Sequence, residues 1–212
     1  MTRLDSEFDS ADVELVAREP LHQGFLLVDL LQLRHRLHAG GWSETIQREL
    51  LLKDPAVGVL LFDPERDEVV LVRQFRVGVL NEGQSPWLLE LVAGMVDSDE
   101  QLEQVAIRES MEEADMSPRQ LVKICDYYNS PGTSNERLSL FCGRVDASEA
   151  GGVFGLSHEH EDIEVVVLSL QDAISAVASG AINNAMSIIA IQWLQLNKAD
   201  LLQRWKSTAE ML

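Results

Sequence analysis

Glu109, Glu112 and Glu113 lie within a stretch, 99–114, whose apolar residues recur with helical periodicity. Spacings of three and four residues put the three carboxylates on one helical face within about one turn. Like charges crowded in this way repel, and a helix gains nothing from them unless something positive sits there. A hard divalent cation suits such a cluster, because Mg2+ and Mn2+ take carboxylate oxygens and Mg2+ commonly bridges to substrate phosphates. An acidic helix face can equally be solvated surface, and the three glutamates alone leave both readings open. The face is expected to be exposed. Arg108, on the same helix, is spaced to orient Glu100.

The elements that must carry these side chains can be read around them. In 99–114, Leu102, Val105, Ala106 and Met111 fall largely opposite the acids. Asp97, Ser98 and Asp99 are candidate N-caps, and Ser98 with Gln101 has capping-box spacing. Upstream, the β-branched runs 57–62 and 69–75 flank the turn-forming segment DPERDE, which predicts a hairpin. Further strands are predicted at 88–92, 122–128, 139–145 and 164–168, and an apolar helix over 183–196 starts at an Asn cap. Toward the N-terminus, 24–37 and 43–52 read as extended segments joined by Ala39-Gly40-Gly41. This divides the chain into a small strand-rich subdomain, 1–54, and a main domain, 55–212. The pattern is a mixed sheet flanked by helices, of α/β or α+β class. Trp193 and Trp205 are expected in packing rather than in a site.

Composition narrows the partners. Thirty-five acidic and 17 basic residues give a net charge of −18, a field that repels nucleic-acid phosphate and anionic membrane surfaces. An anionic substrate would therefore need metal ions or local arginines. Cys125 and Cys142 each sit in an apolar stretch, which suggests buried, reduced thiols. The acidic N-terminus lacks the apolar centre of a signal peptide and no window is long enough to span a membrane, so a cytoplasmic protein is expected. A second acidic region, 155–162 (GLSHEHED), offers Glu159, Glu161, His158 and His160 as candidate proton acceptors or metal-linked groups, with a solvated loop as the alternative.

A wider spacing joins these parts. Gly94, five residues, Glu100, seven residues and then RESMEEADM over 108–116 resembles the Nudix box. Ser110 stands where an aliphatic residue is usual, and Asp115 replaces the glycine whose left-handed turn ends the helix. Segments such as WLLELVAGM, YYNSPGTSNER, GLSHEHEDIEV and INNAMSIIAIQWLQL resemble the bacterial ADP-ribose pyrophosphatase branch of the Nudix hydrolase family.

The resemblance implies an α/β/α Nudix sandwich preceded by a small β-domain exchanged between the subunits of a homodimer. It implies Mg2+-dependent hydrolysis of a nucleotide sugar, ADP-ribose, to AMP and ribose 5-phosphate, with Mn2+ as a substitute ion. Hydrolysis of another nucleotide sugar such as GDP-mannose is the alternative, and a non-catalytic ADP-ribose-binding regulator a more remote one. By the same resemblance Glu109, Glu112 and Glu113 hold the metal ions with the backbone carbonyl of Ala93. Glu159 is the general base and Glu161 an accessory metal-linked group. Arg48 and Arg76 clamp the diphosphate, Phe25 stacks on adenine, Glu49 reaches the substrate across the subunit boundary, and Ser130 lies in a turn near the terminal ribose.

Overall fold

A computed structural model describes residues 6–80, 83–97 and 99–209. The chain forms two compact units, one of residues 1–54 with 128–136, the other of 55–127 with 137–212.

The first unit is built on a three-stranded antiparallel sheet of β1 (Val13–Gln23), β2 (Leu27–His35) and β3 (Ile46–Leu52), in that order. β1 was not expected from the sequence. Its charged residues and Pro20 blur the alternation of VELVAREPLHQ, and the register with β2 slips on either side of the Arg18 region. A proline is tolerated on an edge strand at such an irregularity. The segment 24–26 is a turn rather than the start of a strand. The turn 130–133 belongs to this unit, where the Leu51 N–H donates to the Thr133 carbonyl at 2.8 Å.

The second unit contains an eight-stranded mixed sheet. Its central path pairs β4 (Ala56–Asp63) with β5 (Glu68–Phe75) as the expected hairpin, and β4 runs parallel to β9 (Arg137–Arg144). β8 (Arg119–Tyr128) flanks β9, while β11 (Ile163–Ser169) and the short β10 (Gly152–Phe154) extend the sheet beyond β5. The strand expected at 88–92 is two strands. β6 (Trp87–Glu90) pairs with β5, the chain breaks at Leu91, and β7 (Val92–Met95) pairs with β4.

Helices cover both faces. α1 (Leu102–Ala114) packs with Val57, Val59, Leu61, Val70 and Val72. α2 (Leu170–Ser179) and α3 (Ala185–Ala209) lie on the opposite face with Leu60, Phe62, Val69 and Leu71. The alternation of β4 and β5 thus serves two cores, as expected of strands buried on both faces. Trp205 is buried against this second core and Trp193 packs partly into it. α2 also escaped the sequence reading, although Ser169 caps its start and Gly180 ends it in the left-handed region. Asn184 caps α3 through Oδ1 and the Ser187 N–H. No helix among the described residues is long and apolar enough to cross a membrane.

Candidate active site

Helix α1 begins later than the sequence suggests. Its cap is Gln101, which exchanges side-chain and backbone bonds with Gln104; the expected cap Ser98 lies outside the described residues. At the other end Asp115 takes the left-handed conformation, φ 52° and ψ 38°, and its N–H reaches the Met111 carbonyl at 3.1 Å. Asp is among the few non-glycine residues that tolerate this turn, so the replacement leaves the helix exit intact. Ser110 is fully buried, and its hydroxyl donates to the Ala106 carbonyl one turn back at 2.7 Å. A polar side chain is thereby satisfied where an aliphatic one is usual.

The acidic face is not exposed, contrary to expectation. Glu113 is 3% and Glu109 9% accessible, because β7 closes over them. The Ala93 N–H donates to Glu113 Oε2 at 3.0 Å. Gly94 comes so near that an added Cβ would stand 1.7 Å from Glu109 Oε1. The glycine is required by close approach of backbone to carboxylate rather than by its own dihedral angles. Burial is the main cause pushing the Glu113 carboxyl up to about 8, against the Ala93 bond and Arg76, with Glu109 and Glu161 adding repulsion. Glu109 is shifted upward for the same leading reason, opposed by Arg108.

Arg108 holds the rim of this cluster. It donates from Nε to Glu100 at 3.2 Å and from Nη1 to Glu109 and Glu112 at 2.7 and 3.2 Å. The expected pairing with Glu100 is present. Burial of these acids leaves their negative charge only partly compensated, and hard carboxylate oxygens beside a backbone strand are the donor chemistry of a divalent-cation site. As they stand, with Arg108 drawing Glu109 and Glu112 together, no three His, Cys, Asp or Glu side chains among the described residues converge tightly enough to enclose an ion.

The acidic loop is tied to the same helix. The Gly155 N–H reaches the Glu112 carbonyl at 3.3 Å, and Glu161 Oε2 accepts from the Leu156 N–H at 2.9 Å. Gly155 has φ +105° and lies against Glu161, so both space and backbone exclude a side chain there. Glu161 acts electrostatically on Glu109 and Glu113. Glu159 instead sits in a short 3-10 turn, 157–159, with its side chain 56% exposed and 3.5 Å from His158 Nε2. The structure therefore joins Glu161, but not Glu159, to the helix carboxylates.

Arg76 stands beside β5 and donates from Nε to Glu90 Oε2 at 2.7 Å. Glu90 was not foreseen, since a lone Glu ending an apolar strand carries no spacing signal. Gln74 was also missed; it is buried, and its Nε2 has no hydrogen-bond partner among the described residues.

The other candidates lie on the first unit. Phe25 is 98% accessible, which removes a core role. Arg48 and Glu49 are exposed on β3, with Arg48 Nη1 on the Gln47 carbonyl. Ser130 pairs with Thr133 Oγ1 at 3.1 Å within its turn. Cys142 is buried as expected and Cys125 partly so, and neither is in a disulfide.

A carboxylate-bearing helix packed against a glycine-containing strand, inside an α/β/α layered sheet, is the arrangement of a Nudix hydrolase. The model of the NUDIX domain matches residues 52–211, and the chain belongs to the Nudix family. That family typically uses a divalent metal. The chain is 43% identical over 202 residues to an ADP-ribose pyrophosphatase of Haemophilus influenzae, covering 94% of this chain and 93% of that one. It is 44% identical over 198 residues to an ADP-ribose pyrophosphatase of Escherichia coli, covering 93% and 95%. Similarity to a GDP-mannose pyrophosphatase of Cronobacter sakazakii is lower, 36% over 156 residues, covering 71% and 78%. A crystal structure of an ADP compounds hydrolase shares the fold, with a TM-score of 0.69 at 16% identity, covering 89% of this chain and 96% of that one.

Proposed function

We propose that the protein hydrolyses the diphosphate of ADP-ribose, giving AMP and ribose 5-phosphate. The observation that carries this reading is the packing of Glu109 and Glu113 against the Ala93–Gly94 backbone, in a chain with near full-length similarity to ADP-ribose pyrophosphatases. Glu109, Glu112 and Glu113 would hold Mg2+, with Mn2+ as a substitute, aided by the Ala93 carbonyl and Glu161. Bound there, the cations supply charge neutralisation to the diphosphate and Lewis-acid activation of the attacking water. Glu159 takes the proton of that water, for which its exposed position leaves it free. Arg76, with Arg48, offsets charge on the phosphoryl oxygens. Arg108 keeps Glu109 and Glu112 in place. Phe25, Glu49 and Ser130 are the groups proposed for adenine, the substrate across a subunit boundary and the terminal ribose.

Water adds to one phosphorus, the bond from that phosphorus to the bridging oxygen breaks, and the leaving phosphate takes up the proton. Purified protein with Mg2+ should release equimolar AMP and ribose 5-phosphate from ADP-ribose. Cleavage of GDP-mannose with none of ADP-ribose would overturn the substrate assignment. We also propose a homodimer, supported by the exposed apolar residues Val13, Leu15, Val16, Leu21 and Leu27 of the first unit. Light scattering on the purified chain tests it, and a monomer at micromolar concentration would refute it. A cytoplasmic setting is proposed as well, since the two cysteines are unpaired.

A further inference from the structure

Glu90 is a buried carboxylate that the reaction above does not use. Its side chain is 9% exposed, while the guanidinium it meets, Arg76, is 45% exposed. The contact runs through Nε alone, at 2.7 Å, and among the described residues neither Nη group of Arg76 donates to anything. A guanidinium held by its inner nitrogen presents its outer fork with fixed orientation, the geometry that suits bidentate phosphate binding. Arg76 already acts electrostatically on Glu113.

The backbone around Glu90 is fixed from the far side of the sheet. Asn184 Nδ2 donates to the Leu89 carbonyl at 2.7 Å, and the Leu91 N–H donates to Ser187 Oγ at 3.1 Å. The first turn of α3 therefore clamps the residues before and after Glu90, at the break between β6 and β7. Register puts Glu90 opposite Val72 on the α1 face of the sheet, and Gln74, with its unpaired amide, at the cross-strand diagonal. Leaving a carboxylate in so enclosed a place is costly unless a fixed partner compensates it.

We infer that Glu90, clamped by Asn184 and Ser187, is a positioning residue that sets the guanidinium of Arg76 for the substrate diphosphate. It acts through Arg76 and touches no reacting atom. The inference rests on the reading of Arg76 as a diphosphate ligand, and a double-mutant cycle separates the two. Glu90→Met keeps the volume and removes the acceptor, and Arg76 is exposed enough to stay hydrated, so the variant should fold.

Steady-state hydrolysis of ADP-ribose with Mg2+ is measured for Glu90→Met, Arg76→Ala and the double variant, with melting temperature as a control. Each single change should raise KM about 10- to 100-fold, the worth of a charged hydrogen bond, with kcat changed less. The double variant should match Arg76→Ala, because Glu90 has nothing left to orient. An equal further loss on adding Glu90→Met to Arg76→Ala would overturn the inference, as would an unchanged KM in Glu90→Met when Arg76→Ala raises it. An unchanged KM in Arg76→Ala would instead remove the diphosphate role of Arg76, and this inference with it. Should Glu90→Met not fold, Glu90→Gln carries the same cycle with a smaller rise, about threefold, since an amide oxygen still accepts but without charge.

Discussion

Two acidic regions of the second unit meet the same helix and are treated in opposite ways. On α1, Glu109 and Glu113 are buried, fastened by Arg108 and the Ala93 N–H, and raised in proton affinity by the cost of burial. In the loop 155–162, Glu161 is fastened to the Leu156 N–H, but the Glu159 side chain is exposed and lies near the histidine beside it. Carboxylates buried with their charge partly uncompensated are unfavourable to the fold, and that disadvantage is removed by a cation. An exposed carboxylate costs nothing and is free to move. The contrast suits a division in which the helix holds fixed ligands and the loop supplies a mobile proton acceptor.

The most damaging way to disturb this contrast is on the helix. Glu113→Gln should lower kcat by about a thousandfold or more, since a ligand is lost from the centre of the charge cluster. Its circular dichroism should be unchanged; full activity would mean that the helix is not the catalytic centre. On the loop, Glu159→Gln should lower kcat by about a hundredfold or more, the usual worth of a positioned base, with KM little altered. If Glu161→Gln reproduced that pattern and Glu159→Gln did not, the base would be the fastened carboxylate. Gly94→Ala should cost about a hundredfold in kcat/KM, because the methyl would displace Glu109 and an ångström of misplacement is enough for that. Wild-type kcat/KM in this variant would show that β7 yields instead.

The last consequence concerns stability without metal rather than turnover. A carboxyl whose proton affinity rises on folding stabilises the fold below the ordinary carboxyl range, and loses that contribution as pH climbs through its folded value. For Glu113 that window runs from the ordinary Glu range, about 4.3, to about 8. Metal-free protein should therefore lose stability on the order of a few kcal/mol across it, read from urea midpoints, and Glu113→Gln should flatten the dependence. A wild-type midpoint independent of pH in this range would contradict the raised proton affinity of the buried Glu113.

Much of this site was legible because a rigid helix converts spacing into geometry. Glu109, Glu112 and Glu113 could be placed on one face of α1 from intervals alone, the Arg108–Glu100 pair from spacing although Glu100 precedes the helix, and the left-handed turn from Asp115 standing at the glycine of the motif. Burial was not legible, since it depends on β7 arriving from elsewhere in the sequence and on Gly94 letting it approach. For the same reason Glu90 was missed. Its partner Arg76 follows another strand, β5, and its clamp lies at the start of a helix nearly a hundred residues away, Asn184 being 95 residues from Leu89. In the fold, the central hairpin followed from its β-branched runs and turn residues and the start of α3 from period and cap, although α3 runs on to Ala209, well past the expected end at 196. β1 did not, because Pro20 and its charges disrupt the alternation, and the break at Leu91 had no local signal.

The central claim is that the buried carboxylates of α1 are a divalent-cation site, and titration of the purified protein with Mn2+, followed by electron paramagnetic resonance, tests it without reference to turnover. Wild-type protein should remove Mn2+ from the free-ion signal, and Glu109→Gln and Glu113→Gln should each weaken that binding by about tenfold or more. Binding of equal affinity and stoichiometry in wild type and both variants would contradict it.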